Sequence, residues 1–203
     1  MKSTPSLLYV LLVSILSFSC EEKRPESKIA EKISGQTHEE SESNSTNSDN
    51  WLMKLMEKEP MTEAGYLALV PETLQGYPLQ QKEPKPGMNG FVAFYSHQEG
   101  SEYPGLRLEV IDGAGNHHFQ HVNAVFKMLQ ADRSEAGDDF QSEIKTHKGH
   151  RVLLVSKTRT DRTDFQLEYI QNQRYHIGIL GNRVEAKEVY GAFDELESDH
   201  FPH

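Results

Sequence analysis

Cysteine is almost absent from this sequence of 203 residues, which contains Cys20 alone. An internal disulfide requires two cysteines, and a structural zinc site built from several thiolates is excluded for the same reason. Basic residues are also scarce, because 21 lysines and arginines stand against 31 aspartates and glutamates, for a formal net charge of −10. Nucleic acid presents phosphates that require a basic surface, so this charge balance argues against a nucleic-acid partner.

Long apolar runs are scarce as well, and the clearest one lies near the start, at residues 7–18. About a dozen apolar residues are too few for a helix that crosses a hydrocarbon core, which needs about 20. The length is typical of the middle of a secretory signal, and Lys2 supplies the positive charge that precedes such a run. We therefore predict a signal peptide over residues 1–19 and export of the remaining chain.

The end of this run carries the only cysteine. Leu16, Ser17 and one more serine precede Cys20, and two glutamates follow it directly. This pattern resembles the lipobox of bacterial lipoproteins, in which a signal peptidase cuts before the cysteine and the cysteine becomes the lipidated N-terminus. Ser17 stands where a typical lipobox has leucine, so the alternative is an ordinary, uncleaved or differently cleaved signal. The resemblance implies lipidation of Cys20 and anchoring to a bacterial membrane, the outer membrane, with display on the cell surface as a further expectation.

The composition changes sharply after Cys20. Ile29, Ala30 and Ile33 are the only apolar residues in 21–50, and acids exceed bases there by four. Such a segment cannot bury enough apolar surface to offset the entropy of ordering it. We predict that residues 20–50 comprise the lipidated cysteine and a disordered acidic linker. Residues 51–203 keep an excess of seven acids and are long enough for a single domain with its own core.

Alternation of apolar and polar residues predicts the strands of this domain. It is clear at 91–95 and 106–110, which we expect to pair antiparallel. Prolines and glycines between 71 and 90 predict an ordered loop, or at most an edge strand. Four further strands are predicted near 140–146, 151–156, 165–170 and 175–180, with tight turns at 148–149 and 172–173.

Helical spacing of apolar residues predicts three helices. A short one is capped by Asp49 or Asn50 and ended by Pro60, and a second one follows a cap at Asn116. The last one follows Asn182, which with a glutamate three residues later approximates a capping box. The apolar stripes of the second and last helices are Phe119, Val122, Val125 or Phe126, Leu129, and Ala186, Val189, Tyr190, Phe193, Leu196.

This order of elements predicts an α+β fold, with an antiparallel sheet of about five to six strands and two main helices on one of its faces. The element order, the stretch VPETLQGY at 70–77 and the strand-to-helix step at 177–196 look like a loose group of small exported bacterial proteins of unassigned function. The arrangement is also similar to the PsbP/Mog1 type of α/β/α sandwich, which includes lipid-anchored members. The resemblance covers roughly residues 66–197 and implies no catalytic residues.

Histidine is frequent, and three of the ten copies crowd the start of the second helix in HHFQH. His117 and His121 have the i, i+4 spacing with which a helix holds a transition metal, and a third ligand would come from His147, His150 or Asp112. The zinc-protease pattern is excluded because His118 stands where the general-base glutamate would follow. The alternative interpretation is a set of exposed histidines opposite the apolar stripe.

A second candidate site is the loop SKTRTDRTD between two predicted strands. Lys157, Arg159 and Arg162 place three cations within six residues, which suits a phosphate, a carboxylated glycan or an acidic partner. Asp161 and Asp164 lie between and beside them, so a self-compensated solvated hairpin is the alternative.

Two functional hypotheses follow from the sequence. The first is a non-enzymatic envelope lipoprotein, a binding or accessory module for an envelope protein or glycan, with no cofactor. The second is a metal-assisted or carboxylate-dependent hydrolase of envelope material, which requires two carboxyl groups facing each other across a cleft. No nucleophile elbow and no phosphate-binding glycine loop occurs in the sequence.

Overall fold

A computed structural model describes residues 42–99, 103–197 and 200–203. The predicted signal peptide, Cys20 and most of the predicted linker lie outside the described residues. Among these residues the chain forms four helices and nine strands. Their bounds are α1 Glu42–Glu57, α2 Glu63–Ala68, β1 Thr73–Leu74, β2 Tyr77–Pro84, β3 Gly90–Ser96, β4 Gly105–Asp112, α3 Phe119–Gln130, β5 Ser134–Ala136, β6 Phe140–His147, β7 His150–Thr158, β8 Thr163–Gln171, β9 Tyr175–Asn182 and α4 Ala186–Glu197.

All nine strands belong to one antiparallel sheet with the order β1-β2-β3-β4-β9-β8-β7-β6-β5. Two meanders, β1–β4 and β5–β9, are joined at the centre by the pairing of β4 with β9. The prediction of about five to six strands was therefore wrong. The six predicted strands are β3, β4 and β6–β9, and the three further ones are β1, β2 and β5.

These three strands carry weak sequence signals. β2 contains Pro78 and Pro84 and lies next to the sheet's edge, where proline is tolerated. β1 has two residues, and β5 has three exposed ones, so neither is long enough to show an alternating pattern. The two predicted hairpin turns do form, and both residues of each turn have positive φ: Lys148, Gly149, Asn172 and Gln173.

The two main helices lie on opposite faces of the sheet. On β9, a side chain at Gly181 would collide with Val184 and with Val189 of α4, at 2.5 and 2.6 Å, so this face is packed against α4. His176 has the opposite parity on the same strand and contacts His121 of α3. The prediction of two helices on one face was wrong, because the central strands bury residues of both parities, as Val110 and Ile111 do on β4.

Each face has its own hydrophobic cluster. The larger one lies between the sheet and α4 and includes Tyr95, Leu108, Tyr169, Ile177 and Phe193. The smaller one joins α1 to α3 and to the other face, and it comprises Leu55, Ala114 and Val122 with Trp51, Phe119 and Ile170 packed against them. Among the described residues, both clusters lie within residues 51–201.

Three helix starts differ from their predictions. α1 begins at Glu42 rather than near Asn50, because a helix already held by core contacts extends at low cost. α3 begins after His118, with no side-chain cap. Asn182 remains in β9, and α4 begins at Ala186, where Glu188 Oε2 accepts a hydrogen bond from the backbone N–H of Glu185 at 2.8 Å. No described helix is long and apolar enough to cross a membrane.

Candidate functional site

The face that carries α3 is only partly covered, and we call its uncovered part the open face. α3 packs over one end, where Ile170 and His176 lie opposite each other on β8 and β9. Further along the strands, the cross-strand row becomes Phe94, Arg107 and Leu180, followed by Gln166 and Val155. Because strand residues of one parity share a face, the register places these side chains side by side on the open face.

A cleft of about 710 Å³ opens on this face beside the β3–β4 connection and the β7–β8 hairpin. Its lining includes three arginines, Arg107 of β4 and Arg159 and Arg162 of the hairpin. Between the hairpin arginines lies Asp164, which accepts hydrogen bonds from Arg159 Nε at 2.7 Å and from Arg162 Nε at 2.9 Å. Burial alone would raise the pKa of Asp164, but the two arginines outweigh burial and hold this pKa below its usual value.

The third arginine is held by a separate ion-pair network. Arg107 Nη2 donates to Glu109 Oε2 at 2.7 Å, and Lys85 Nζ contacts the other oxygen of the same carboxylate. The Arg107 guanidinium also lies 5.9 Å from the centroid of the Phe94 ring, within reach of a cation–π interaction. Arg107 is thereby fixed in orientation while 38 % of its side chain remains exposed in the cleft.

Apolar and amide groups complete the lining. Phe94 and Tyr103 are two of the three large hydrophobic side chains that are exposed among the described residues, and both line the cleft together with Leu180. Gln80 and Gln81 also line it, since a bulge between Leu79 and Gln81 breaks the alternation of β2. The cleft thus combines cations, exposed rings and amides at one place on the sheet.

A buried polar chain lies under α3. His121 Nε2 and His176 Nδ1 are 2.9 Å apart, and His176 Nε2 lies 3.5 Å from Glu168 Oε2, too poorly aligned for a hydrogen bond. Glu168 also accepts a hydrogen bond from Gln166 at 2.5 Å. The pKa of His121 is lowered, first by burial and then by repulsion from His176 and Lys85. The pKa of Glu168 is lowered chiefly by its interaction with His176.

Only two of the three cations of the predicted anion-binding loop line the cleft. Arg159 and Arg162 line the cleft, whereas Lys157 is exposed opposite Asp164 in the strand register and does not line it. Sequence reasoning missed Arg107, which lies about fifty residues away on β4. Its position between two buried leucines marks it as facing away from the main core, but only the β4–β9 pairing brings it to the hairpin.

The predicted metal ligands have different surroundings. His117 is exposed and precedes α3, whereas His121 lies within α3 and contacts His176. Of the candidate third ligands, His147 contacts Asp194 of α4 on the other face of the sheet, and Asp112 is paired with Arg174. Within the described ranges, no group of three or more histidine, aspartate or glutamate side chains is arranged to hold a metal ion.

The described residues form an α+β domain with a nine-stranded antiparallel sheet and an arginine-lined cleft on its open face. No protein-family model, curated protein or solved structure matches the chain.

Proposed function

We propose that the chain is a bacterial envelope lipoprotein, anchored to the outer membrane through Cys20, whose domain is a non-enzymatic binding module. The apolar run at 7–18, the cysteine that follows it and the absence of any other cysteine support the anchor. In this proposal the polar segment after Cys20 is a tether. The tether gives the domain reach from the membrane, and its acidic charge gives it no affinity for anionic lipid.

The cleft is the observation that carries the binding function. Its volume of about 710 Å³ lies within the range of about 300–1,000 Å³ that is typical of small-molecule sites. Exposed aromatic rings that lie beside charged groups in a concave surface are typical of ligand-binding sites. Phe94 and Arg107, held together on neighbouring strands, form the centre of this surface.

The protonation state of the cleft favours binding over catalysis. A general acid or base is most effective when its pKa lies near the working pH. The pKa of Asp164 is instead held low by two arginines, so this carboxylate is ionised and fully engaged at neutral pH. His121, whose pKa is lowered from 6.5, pairs with His176 under α3 and does not line the cleft.

Metabolic labelling with an alkyne palmitate tests the anchor. Wild-type protein is expected to become labelled and to run at the size of the processed chain, whereas Cys20→Ser is expected to remain unprocessed and unlabelled. No second cysteine is present to take the acyl chain. Labelling of the Cys20→Ser protein at the wild-type level would contradict the proposal.

Amide chemical shifts of the isotope-labelled domain, residues 42–203, test the binding function. Addition of a low-molecular-weight extract of the producing cell's envelope is expected to shift the resonances of Phe94 and Leu180, which line the cleft. The resonances of Trp51, in the smaller hydrophobic cluster, are expected to stay in place and serve as the internal control. An extract that shifts no cleft resonance would refute binding at this site.

A further inference from the structure

We infer that the ligand of the cleft is an acidic saccharide, that is, a sugar unit whose carboxylate meets the arginines while its ring lies on the aromatic surface. This inference rests on the binding function proposed for the same cleft. Three features of the lining carry it: unused guanidinium donors, an apolar platform and amide oxygens that accept hydrogen bonds.

The guanidinium donors fit a carboxylate. Asp164 engages Arg159 and Arg162 through their Nε atoms, which leaves the terminal nitrogens of Arg159 without a hydrogen bond among the described residues. A guanidinium has five N–H donors, and its planar edge matches a carboxylate with two parallel hydrogen bonds. Arg159 is 49 % exposed, so this edge is accessible from the cleft.

The charge balance favours one carboxylate over a polyanion. Among the described residues, three arginines line the cleft with two acids, Asp164 and Glu99, so these side chains carry one net positive charge. The whole chain has a net charge of −10, which repels a multiply charged ligand at long range. A singly charged group compensates the cleft and is repelled less than a polyanion.

The exposed rings fit the apolar face of a sugar. Phe94 and Tyr103 each remain 36 % exposed, and Leu180 lies beside Arg107 in the strand register. A pyranose ring presents C–H groups on one face, and these groups carry the partial positive charge that the negative face of an aromatic ring attracts. A bare inorganic anion would leave this platform uncovered.

The amide oxygens of two glutamines suit a ligand with hydroxyl donors. Gln80 uses its amide nitrogen to bond the Ser96 carbonyl at 2.6 Å, and Gln81 uses its own to bond Glu83 at 3.2 Å. In each side chain the carbonyl oxygen is the amide group that is left to accept a hydrogen bond, and both residues line the cleft. Sugar hydroxyls donate to such oxygens, whereas phosphate dianions and fatty acids carry no comparable set of donors. A carboxylate on a hydroxylated ring satisfies all three features together.

Titration calorimetry and amide shifts of the 42–203 domain test this inference with glucuronate, galacturonate and mannuronate, each added separately. At least one of them is expected to bind and to shift the resonances of Phe94 and Leu180. Its methyl ester, which keeps the ring but loses the charge, is expected to bind at least about tenfold more weakly. Inorganic phosphate is expected to bind no better than the ester.

Two variants locate the contact. Arg159→Gln, at an exposed position, is expected to weaken uronate binding by about tenfold or more, and Phe94→Ala is expected to weaken the ester as well. Arg133→Gln, at an arginine that is 69 % exposed, directly precedes β5 and does not line the cleft, is the control and should bind as wild type. Unchanged Trp51 fluorescence establishes that the variants are folded.

Failure of this inference is distinguishable from failure of the binding function. If the envelope extract shifts the cleft resonances while none of the three uronates binds, the assignment of an acidic saccharide is wrong and the binding function is retained. Equal affinity for uronate and phosphate, or for uronate and its ester, would also overturn the saccharide assignment. If neither the extract nor any uronate acts on the cleft, both proposals fall.

Discussion

Asp112 and Arg174 form the most deeply buried ion pair of the described residues. Arg174 donates from Nε and Nη2 to the two carboxylate oxygens, both at 2.8 Å. The same carboxylate accepts hydrogen bonds from the backbone of Met61 at 3.1 Å and of Ala114 at 3.0 Å. This carboxylate therefore joins the connection between α1 and α2 to the ends of β4 and β9.

Arg174→Ala is expected to destabilise the domain by about 3–5 kcal/mol, because it leaves a buried carboxylate without its counter-charge. Urea unfolding followed by Trp51 fluorescence measures the change. Arg133→Ala, at a position that is 69 % exposed, is the control and should change stability by less than about 0.5 kcal/mol. A loss below about 1 kcal/mol in Arg174→Ala would mean that the pair contributes little.

His121 makes the stability of the domain depend on pH, and its lowered pKa sets the direction of that dependence. Its pKa is lowered from 6.5 in the folded state, so below that value the unfolded chain binds more protons than the folded one. Stability is thus complete above about pH 6.5 and is lost as the pH falls, by up to about 1.4 kcal/mol per pH unit. The groups that face the ring are His176, Lys85, Glu109 and Glu168.

Urea titrations at pH 7.5 and 5.5 are expected to show this loss in the wild-type domain. His121→Gln should reduce this loss of stability, whereas His117→Gln, at an exposed position, should show the same loss as wild type. The lowered pKa of Glu168 acts in a different window, since its contribution disappears only as the pH falls below 4.5. If the free energy of unfolding falls by the same amount between pH 7.5 and 5.5 in wild type and in His121→Gln, other groups cause the loss.

At this scale the sequence predicted two of the three cleft arginines. Arg159 and Arg162 are close in sequence, and their spacing alone indicated an anion-binding loop. Arg107 could not be placed with them, because its distance to the hairpin depends on the pairing of β4 with β9. The contact of His121 with His176 could not be predicted for the same reason, since the two residues are 55 positions apart in the sequence.

At the scale of elements, one glutamate ties the first meander to the last helix. Glu188 Oε2 accepts from the Glu185 N–H at 2.8 Å and completes the start of α4, while its Oε1 accepts from the Tyr77 hydroxyl of β2 at 2.8 Å. Burial and then Glu188 raise the pKa of Tyr77 to about 12. The helix start and the edge of the sheet therefore depend on the same carboxylate.

Glu188→Ala is expected to cost about 1–2 kcal/mol, because it removes both hydrogen bonds and leaves the N-terminus of α4 uncapped. Thermal and urea unfolding measure the loss. Tyr77→Phe removes one of the two bonds and should cost about half as much, and Glu185→Gln, an exposed change that keeps the Glu188 contact, should be nearly neutral. Equal stability of Glu188→Ala and wild type would contradict this dual role.

The long elements with many apolar residues were predictable, and the short or proline-containing ones were not. β3, β4 and β6–β9 each have seven or more residues, and α3 and α4 have clear apolar stripes. β1, β2 and β5 form because a neighbouring strand offers hydrogen bonds. This is a tertiary effect that their own sequences do not indicate. The assignment of the helices to faces likewise required the sheet order.

At the scale of the whole domain, the asymmetry of the two faces creates the cleft. One face is covered by the larger hydrophobic cluster and α4, whereas α3 and α1 cover only one end of the other. The strands must still pair along their full length, so the remaining part of the open face is left with polar and aromatic side chains. The cleft forms where that surface meets the β7–β8 hairpin.

We expect the arginine-lined cleft of the anchored domain to bind an envelope ligand. This expectation is tested by comparing the binding of envelope extract to wild type, to Arg107→Gln/Arg159→Gln and to Arg133→Gln, followed by the shifts of Phe94 and Leu180. We predict saturable shifts in wild type and in Arg133→Gln, and a loss of binding of at least about tenfold in the double variant. Shifts of equal size and midpoint in all three proteins would contradict it.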